Sequence, residues 1–217
     1  MAMISILDEV VFRSSIRELA IRDVDLARVV EAYGAPPFWI REPGFPSLAY
    51  IILEQQVSLA SARAAFRRLC DAARPLTPAR FLKLSDIQLK QIGFSRQKTL
   101  YVRLLAEALV KKHLSLDDLH DLSDDAARKF LIALKGIGAW TADIYLLSAL
   151  RRPDIWPIGD LALAVAVQEV KRLRSRPSPE RLEKLSRPWR PYRAVAARLF
   201  WHAYLSKRGQ NSVTISL

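Results

Sequence analysis

The residues best suited to chemistry are Asp160, in Trp156-Pro157-Ile158-Gly159-Asp160, and an upstream turn, Leu134-Lys135-Gly136-Ile137-Gly138-Ala139-Trp140-Thr141-Ala142. Asp160 follows Gly138 by 22 residues (160 − 138). Two glycines around one apolar residue permit a backbone turn too tight for side chains. A helical pattern over 124–134 leads into the turn, and a second helical pattern starts at once after it. Amides at the start of a helix point outward and favour an anion. Ile137 can plug between the two helices, and Lys135 adds a cation beside them. A lone Gly-x-Gly is usually a structural turn. Here the apolar plug, the immediate helix start and a basic chain favour a helix-hairpin-helix that grips phosphates without reading bases.

Taken alone, Asp160 reads as a helix N-cap, because an apolar helical run follows it. That reading is compatible with chemistry. Backbone amides and the helix dipole favour the anionic form of an N-cap carboxylate. A fixed anion in a loop beside Trp156 suits stabilisation of a developing positive charge.

Trp140, Trp156, Trp189, Tyr192, Trp201 and Tyr204 cluster in the C-terminal half. Trp201 and Tyr204 sit at helical spacing and are expected in the core. Trp140, directly after the hairpin, and Trp189, in a Pro-flanked segment, are better placed to stack on a base. In Glu54-Gln55-Gln56-Val57-Ser58, two glutamines end an apolar helix. Such a pair usually marks an exposed, capped terminus; it also fits a residue inserted into a duplex at a vacated base position. The run Lys171-Arg172-Leu173-Arg174-Ser175-Arg176 reads as a solvated basic face.

These residues must be positioned by helices. Helical patterns cover 23–33, closed by Gly34, and 48–56. Ser58 caps a helix to about Ala72; Thr77 and Pro78 start another. Ser85 with Gln88 forms a capping box for a short helix stopped by Gly93, and Ser95 caps a long one to about Lys112. Ser115 and Ser123 cap two more. The post-hairpin helix runs to about Leu150, the Asp160 helix to about Leu173, and a last one covers 191–205. The tail from Lys207 is expected to be loose. Alternating β patterns are nearly absent. The fold class is all-α, an orthogonal helical bundle.

The 217 residues suffice for one or two compact domains. A net charge of +12 favours a polyanionic partner, DNA or RNA first. No apolar run reaches the length of a membrane span, and the N-terminus lacks the pattern of a signal peptide, so an intracellular, cytoplasmic location is expected. The single Cys70 fits a reducing compartment and excludes a four-cysteine iron–sulfur cluster or a cysteine zinc site. His113, His120 and His202 lack metal-ligand spacing.

At these residues the chain resembles the helix-hairpin-helix DNA glycosylases, and in particular their alkylpurine, AlkA-like 3-methyladenine branch. The matching pieces are Ile52 to Ser58, Ile92 to Lys98, Leu134 to Ala142, Trp156 to Asp160, and Trp189-Arg190-Pro191-Tyr192-Arg193, in the family's order. The resemblance implies two lobes with a cleft between them, one from 1–47 with 151–217 and one from 48–150. It implies the compact form, without the N-terminal β domain of longer relatives. Asp160 would be the catalytic carboxylate and Gln56 the wedge. Trp140 and Trp189 would border the base pocket, with Tyr145, Trp156 and Tyr192 as further lining aromatics. Ile144 stands where well-known relatives carry a pocket aromatic. Lys135, Gly136, Ile137, Gly138, Ala139 and Thr141 would hold the DNA backbone, with Gly93, Ser95 and Lys98 as a second contact. Carbonyls of Ile132, Leu134 and Ile137 would hold a Na+ or K+ ion, with no other cofactor required.

Bifunctional members carry a lysine where this chain has Trp140. The resemblance therefore implies a monofunctional hydrolase of alkylated purines in base excision repair, without a lyase step, working as a monomer on damaged double-stranded DNA. Two readings compete with it: release of another base (hypoxanthine, uracil or an oxidised purine), and a non-catalytic hairpin protein that only clamps DNA.

Overall fold

The structure is a computed structural model that describes residues 6–209. Among these residues there are helices and no strands. The chain divides into two compact units, one formed by 6–41 with 146–209 and the other by 42–145.

The 42–145 unit is built around α3 (Phe45–Glu54), every residue of which except the half-buried Pro46 is buried. Its sequence, Phe-Pro-Ser-Leu-Ala-Tyr-Ile-Ile-Leu-Glu, is apolar on all sides, as a helix enclosed by others must be. The unit also contains α4 (Leu59–Ala72), α5 (Pro78–Phe81), α6 (Asp86–Ile92), α7 (Arg96–Val110) and α8 (Asp124–Ile132). α4 and α7 both pack on α3. Phe81 meets Phe45 and Phe94, and Tyr50 stacks on Phe66 at 4.5 Å between ring centroids. The short helices start where the sequence predicts. The hydroxyls of Ser58, Thr77, Ser85, Ser95 and Ser123 each accept the amide three residues on, and Ser85 with Gln88 closes a full capping box. Ser115 is the exception. Its segment forms only a 3-10 turn, Asp117–His120, with no side-chain cap.

The other unit contains α1 (Glu9–Arg22), α2 (Val24–Tyr33), α10 (Leu161–Val170), α11 (Pro179–Ser186) and α12 (Arg193–Lys207). α12 is its centre, buried from Ala194 to Phe200, with α2 and α10 packed on it. Arg198, fully buried, donates to the carbonyls of Ala194, Trp39 and Leu147 and lies over the rings of Phe12 and Phe38. Burial lowers its pKa to about 9.

α9 (Ala139–Ser148) crosses the boundary between the units. The observed division falls at 41/42 and 145/146, against the expected 47/48 and 150/151. The last turn of α9 explains the shift. The carbonyl of Leu146 accepts the Arg152 amide, Leu147 accepts Arg198, and Ser148 accepts the Arg41 amide. Lys207, expected in a loose tail, closes α12, and a turn follows to Gly209. The rest of the tail lies outside the described residues.

Candidate nucleic-acid and catalytic site

In the 42–145 unit, α8 ends at Ile132 and α9 begins at Ala139. Between them the amides of Leu134 and Ile137 bond the carbonyls of Leu131 and Leu134. Ile137 is 3% exposed and plugs the turn as expected. The two glycines divide the work. Gly136 has φ +93°, and a Cβ there would overlap the ring of Tyr101 on α7. Gly138 has an ordinary φ, is exposed, and a Cβ there would meet nothing within 4 Å. Gly136 thus seats the turn on the body of the unit, while Gly138 leaves the N-terminus of α9 open for a ligand. Lys135, Gly138 and Ala139 are exposed, and Trp140 is half-buried.

Other expected backbone contacts are placed differently. Thr141 is buried, and its hydroxyl accepts from the side-chain amide of Gln55 at 2.9 Å. Lys98 is half-buried, and its ammonium donates to the Leu53 carbonyl at 2.7 Å, at the end of α3. Burial pushes its pKa down. Both side chains thus bond groups of the protein itself, Thr141 a side-chain amide and Lys98 a main-chain carbonyl. Gly93 and Ser95 are exposed; Gly93 closes α6 with φ +113° and Ser95 caps α7.

The α3–α4 turn carries Gln56 at its tip. Gln56 is exposed and sits at φ +57°, in the left-handed region that non-glycine residues rarely occupy. Exposed Val57 and Leu59 flank it. Gln55 turns the other way, donating to Thr141 and to the Gly136 carbonyl at 3.0 Å. Sequence reasoning paired the two glutamines and missed that they face apart.

In the other unit, Asp160 is the N-cap of α10, as its sequence context predicts. Its Oδ1 accepts the Leu163 amide at 2.7 Å and the indole Nε1–H of Trp201 at 3.1 Å. The residue is half-buried, and Leu161 beside it is 61% exposed. Trp201 was expected in the core. It is instead half-buried and bonded to the carboxylate, a neighbour that its helical spacing does not reveal. The one available signal was chemical: an indole N–H in a folded protein needs an acceptor.

The expected aromatic pocket is redistributed. Trp189 is 1% exposed, packs on Trp156 and Phe200 at 5.2 and 5.0 Å, and donates Nε1–H to Asp23 at 2.8 Å. The same Asp23 caps α2 and pairs with Lys171 at 2.6 Å. Trp156 is 2% exposed. Both tryptophans are core residues and offer no ring face for stacking. Tyr145 is also enclosed; its hydroxyl accepts the Gly44 amide at 2.9 Å, and burial pushes its pKa up to about 12. Ile144 is buried too. Tyr192 is half-buried at the start of α12. Tyr204, expected in the core, is half-buried under the Arg208 guanidinium.

Among the described residues no His, Cys, Asp or Glu cluster could hold a metal ion, and no helix is long and apolar enough to cross a membrane. The carbonyls of Ile132, Leu134 and Ile137 belong to the C-terminal end of α8 and the turn after it. Neutral main-chain oxygens at a helix C-terminus suit a hard monovalent cation.

Residues 49–191 match the model of the HhH-GPD superfamily base excision DNA repair proteins. The alkylbase DNA glycosidase-like protein mag2 of Schizosaccharomyces pombe is 30% identical over 165 residues, which are 73% of this chain and 78% of that protein. A DNA-3-methyladenine glycosidase structure from Bacillus halodurans superposes with TM-score 0.74 at 26% identity, covering 90% of this chain and 91% of that one. The S. pombe 3-methyladenine DNA glycosylase Mag1, in complex with abasic DNA, gives TM-score 0.80 over 90% of this chain and 97% of that one, and at 24% identity it speaks for the fold. A match across the hairpin, the Asp160 cap and the start of the 191–193 segment makes this chain a member of the HhH-GPD superfamily of base excision DNA repair proteins.

Proposed function

We propose that the protein is a monofunctional DNA glycosylase that releases alkylated purines of the 3-methyladenine type by hydrolysing the N-glycosidic bond. The observation that carries this reading is the Asp160 carboxylate, fixed through Oδ1 by the Leu163 amide and the Trp201 indole in a chain of this family.

The chemistry needs little more. An N-alkylated purine already carries positive charge, so the C1′–N bond breaks with its electron pair leaving on the base, which departs neutral. The sugar becomes an oxocarbenium-like cation, as in glycoside hydrolysis. Asp160 offsets that charge and orients the water that adds to C1′ and gives up a proton. A carboxylate already held in place pays little reorganisation as the cation forms. The nucleotide must first leave the duplex, at a cost of about a few kcal/mol, less at a damaged pair. Gln56 fills the gap, and the amides at the N-terminus of α9, with Lys135, hold the phosphates. Trp140 supplies no amine for a Schiff base, so the abasic sugar is left intact. It is the half-buried aromatic beside the hairpin and remains the candidate for contact with the extruded base. A Na+ or K+ ion on the carbonyls of Ile132, Leu134 and Ile137 would stiffen the turn.

The substrate is double-stranded DNA with a damaged base, bound by a monomer inside the cell, and the net charge of +12 supports that partner. The decisive experiment incubates the protein with methylated DNA and with a panel of lesion duplexes, with and without alkali. Released 3-methyladenine and strand breaks that appear only after alkali are expected. Tight DNA binding with no released base refutes the enzyme; nicking without alkali refutes the monofunctional assignment.

A further inference from the structure

The wedge turn and the hairpin are joined by side chains that the reaction itself does not use. Gln55 sends two side-chain hydrogen bonds across to the hairpin, to the Gly136 carbonyl and the Thr141 hydroxyl. Lys98, from the first turn of α7, takes the Leu53 carbonyl at the end of α3. Gly136 in turn leans on Tyr101, one helical turn further along α7. The far end of α3 is tied as well, through the Gly44 amide and Tyr145 on α9. The turn that these contacts brace holds Gln56 in a left-handed conformation. Such a conformation is unfavourable in a non-glycine residue and persists only where the surroundings impose it.

We infer that Gln55 is a positioning residue that locks the Gln56 turn to the hairpin, so that phosphate binding at the hairpin and insertion of Gln56 act as one rigid piece. The inference rests on the proposed wedge role of Gln56, and it adds what keeps the wedge aimed. A side chain free to swing would lose rotamer entropy on entering the stack. A turn already held in the inserting geometry loses less, which shifts the nucleotide toward the extruded state. The Gln55 amide is suited to this because its two N–H groups can satisfy two acceptors on one neighbouring element at once.

The test needs no glycosidic chemistry. A duplex carrying 2-aminopurine reports unstacking by a rise in fluorescence when protein binds. Gln55→Met keeps the length of the side chain and removes both donated bonds. The expected result is a rise reduced by about fivefold or more, with Kd for the same duplex within about twofold, because the phosphate contacts remain. Gln56→Ala should reduce the rise as well, and the Gln55→Met/Gln56→Ala double variant should match Gln56→Ala alone, as expected of residues that act as a unit. Thr141→Val removes one acceptor and should give a smaller loss, while Thr141→Ser restores the wild-type rise. An unchanged rise in Gln55→Met, or losses that multiply in the double variant, overturns the inference. Should Gln55→Met fail to fold, the Thr141 pair decides: equal, wild-type rises in Val and Ser variants overturn it. Base release by the unaltered protein from a lesion duplex tests the glycosylase reading separately, so the two can fail independently.

Discussion

The hairpin corner and the Asp160 corner are built by opposite means. At the hairpin the important atoms are main-chain groups, and their geometry follows from local sequence: a glycine that must take φ +93°, an apolar plug and an open glycine before a helix. At Asp160 the important atom is a side-chain oxygen. One partner, the Leu163 amide, is three residues away, and another, Trp201, is 41 residues away on α12. Backbone sites are thus specified by short strings of residue types. Side-chain sites are completed by whatever the tertiary fold delivers.

The largest expected effect separates charge from geometry at Asp160. Asn at this position keeps an oxygen for the Leu163 amide and the Trp201 indole and loses the negative charge. Asp160→Asn should retain DNA affinity and thermal stability and lose base release by about 10²–10³-fold, the range seen when one preorganised electrostatic group is removed. Release of 3-methyladenine at the wild-type rate by this variant, measured by single-turnover kinetics, would remove Asp160 from the mechanism.

The two glycines break the hairpin comparison in two. Gly136→Ala places a Cβ into the Tyr101 ring at a positive φ, and should destabilise the fold by about 2–4 kcal/mol in a denaturant titration. Gly138→Ala meets open space and an ordinary φ, so its stability should stay within about 0.5 kcal/mol of wild type. Its cost should appear in DNA affinity, where a methyl group stands between phosphate and amide. Equal stability losses in the two variants would contradict the division of labour between them.

A smaller effect tests the long-range half of the Asp160 corner. Trp201→Phe keeps an aromatic ring and removes the N–H that reaches Oδ1. A hydrogen bond to a charged group contributes about 1.5–3 kcal/mol, and part of that supports the carboxylate in the transition state. A fall of about tenfold in kcat with little change in KM is expected. A change confined to KM would assign Trp201 to substrate contact instead of to the carboxylate.

The same contrast explains what could be read from the sequence. The all-α class, the hairpin and the helix caps are local and legible, because a cap or a tight turn is decided by residues within one turn of helix. α1 carries exposed Val10 and Ile21 on one side and buried Phe12, Ile16 and Leu19 on the other, so no clean apolar stripe announces it. α11, rich in charge, has no apolar stripe long enough to announce it either. The roles of the tryptophans were not legible at all. Trp189 looked accessible from its Pro-flanked setting and is core, because Asp23, far away in sequence, accepts its N–H. Trp201 looked like core from its helical spacing and lies at the carboxylate. Gln55 and Gln56 are adjacent and of one type. In the fold Gln55 bonds the hairpin, while Gln56, at φ +57°, stays exposed.

The smallest effect predicted at neutral pH concerns the other end of the helix that the hairpin starts. Tyr145 sits near the C-terminal end of α9 and accepts the amide that precedes α3, so α9 ties both ends of α3: Gly44 through Tyr145, and Gln55 through Thr141 and the Gly136 carbonyl. Burial raises the Tyr145 pKa from 10.0 to about 12 in the folded protein. Below pH 10 the phenol is neutral in both states and its stabilising contribution is fully present. Between pH 10 and 12 the unfolded chain has lost the proton that the folded protein keeps, so stability falls as pH rises, by up to about 2–3 kcal/mol. Tyr145→Phe should be slightly less stable at neutral pH, because the Gly44 amide loses its acceptor. Its stability should then decline less steeply than wild type above pH 10 in denaturant titrations. Parallel declines in the two proteins would mean that the hydroxyl is solvated and that α9 secures α3 only at its hairpin end.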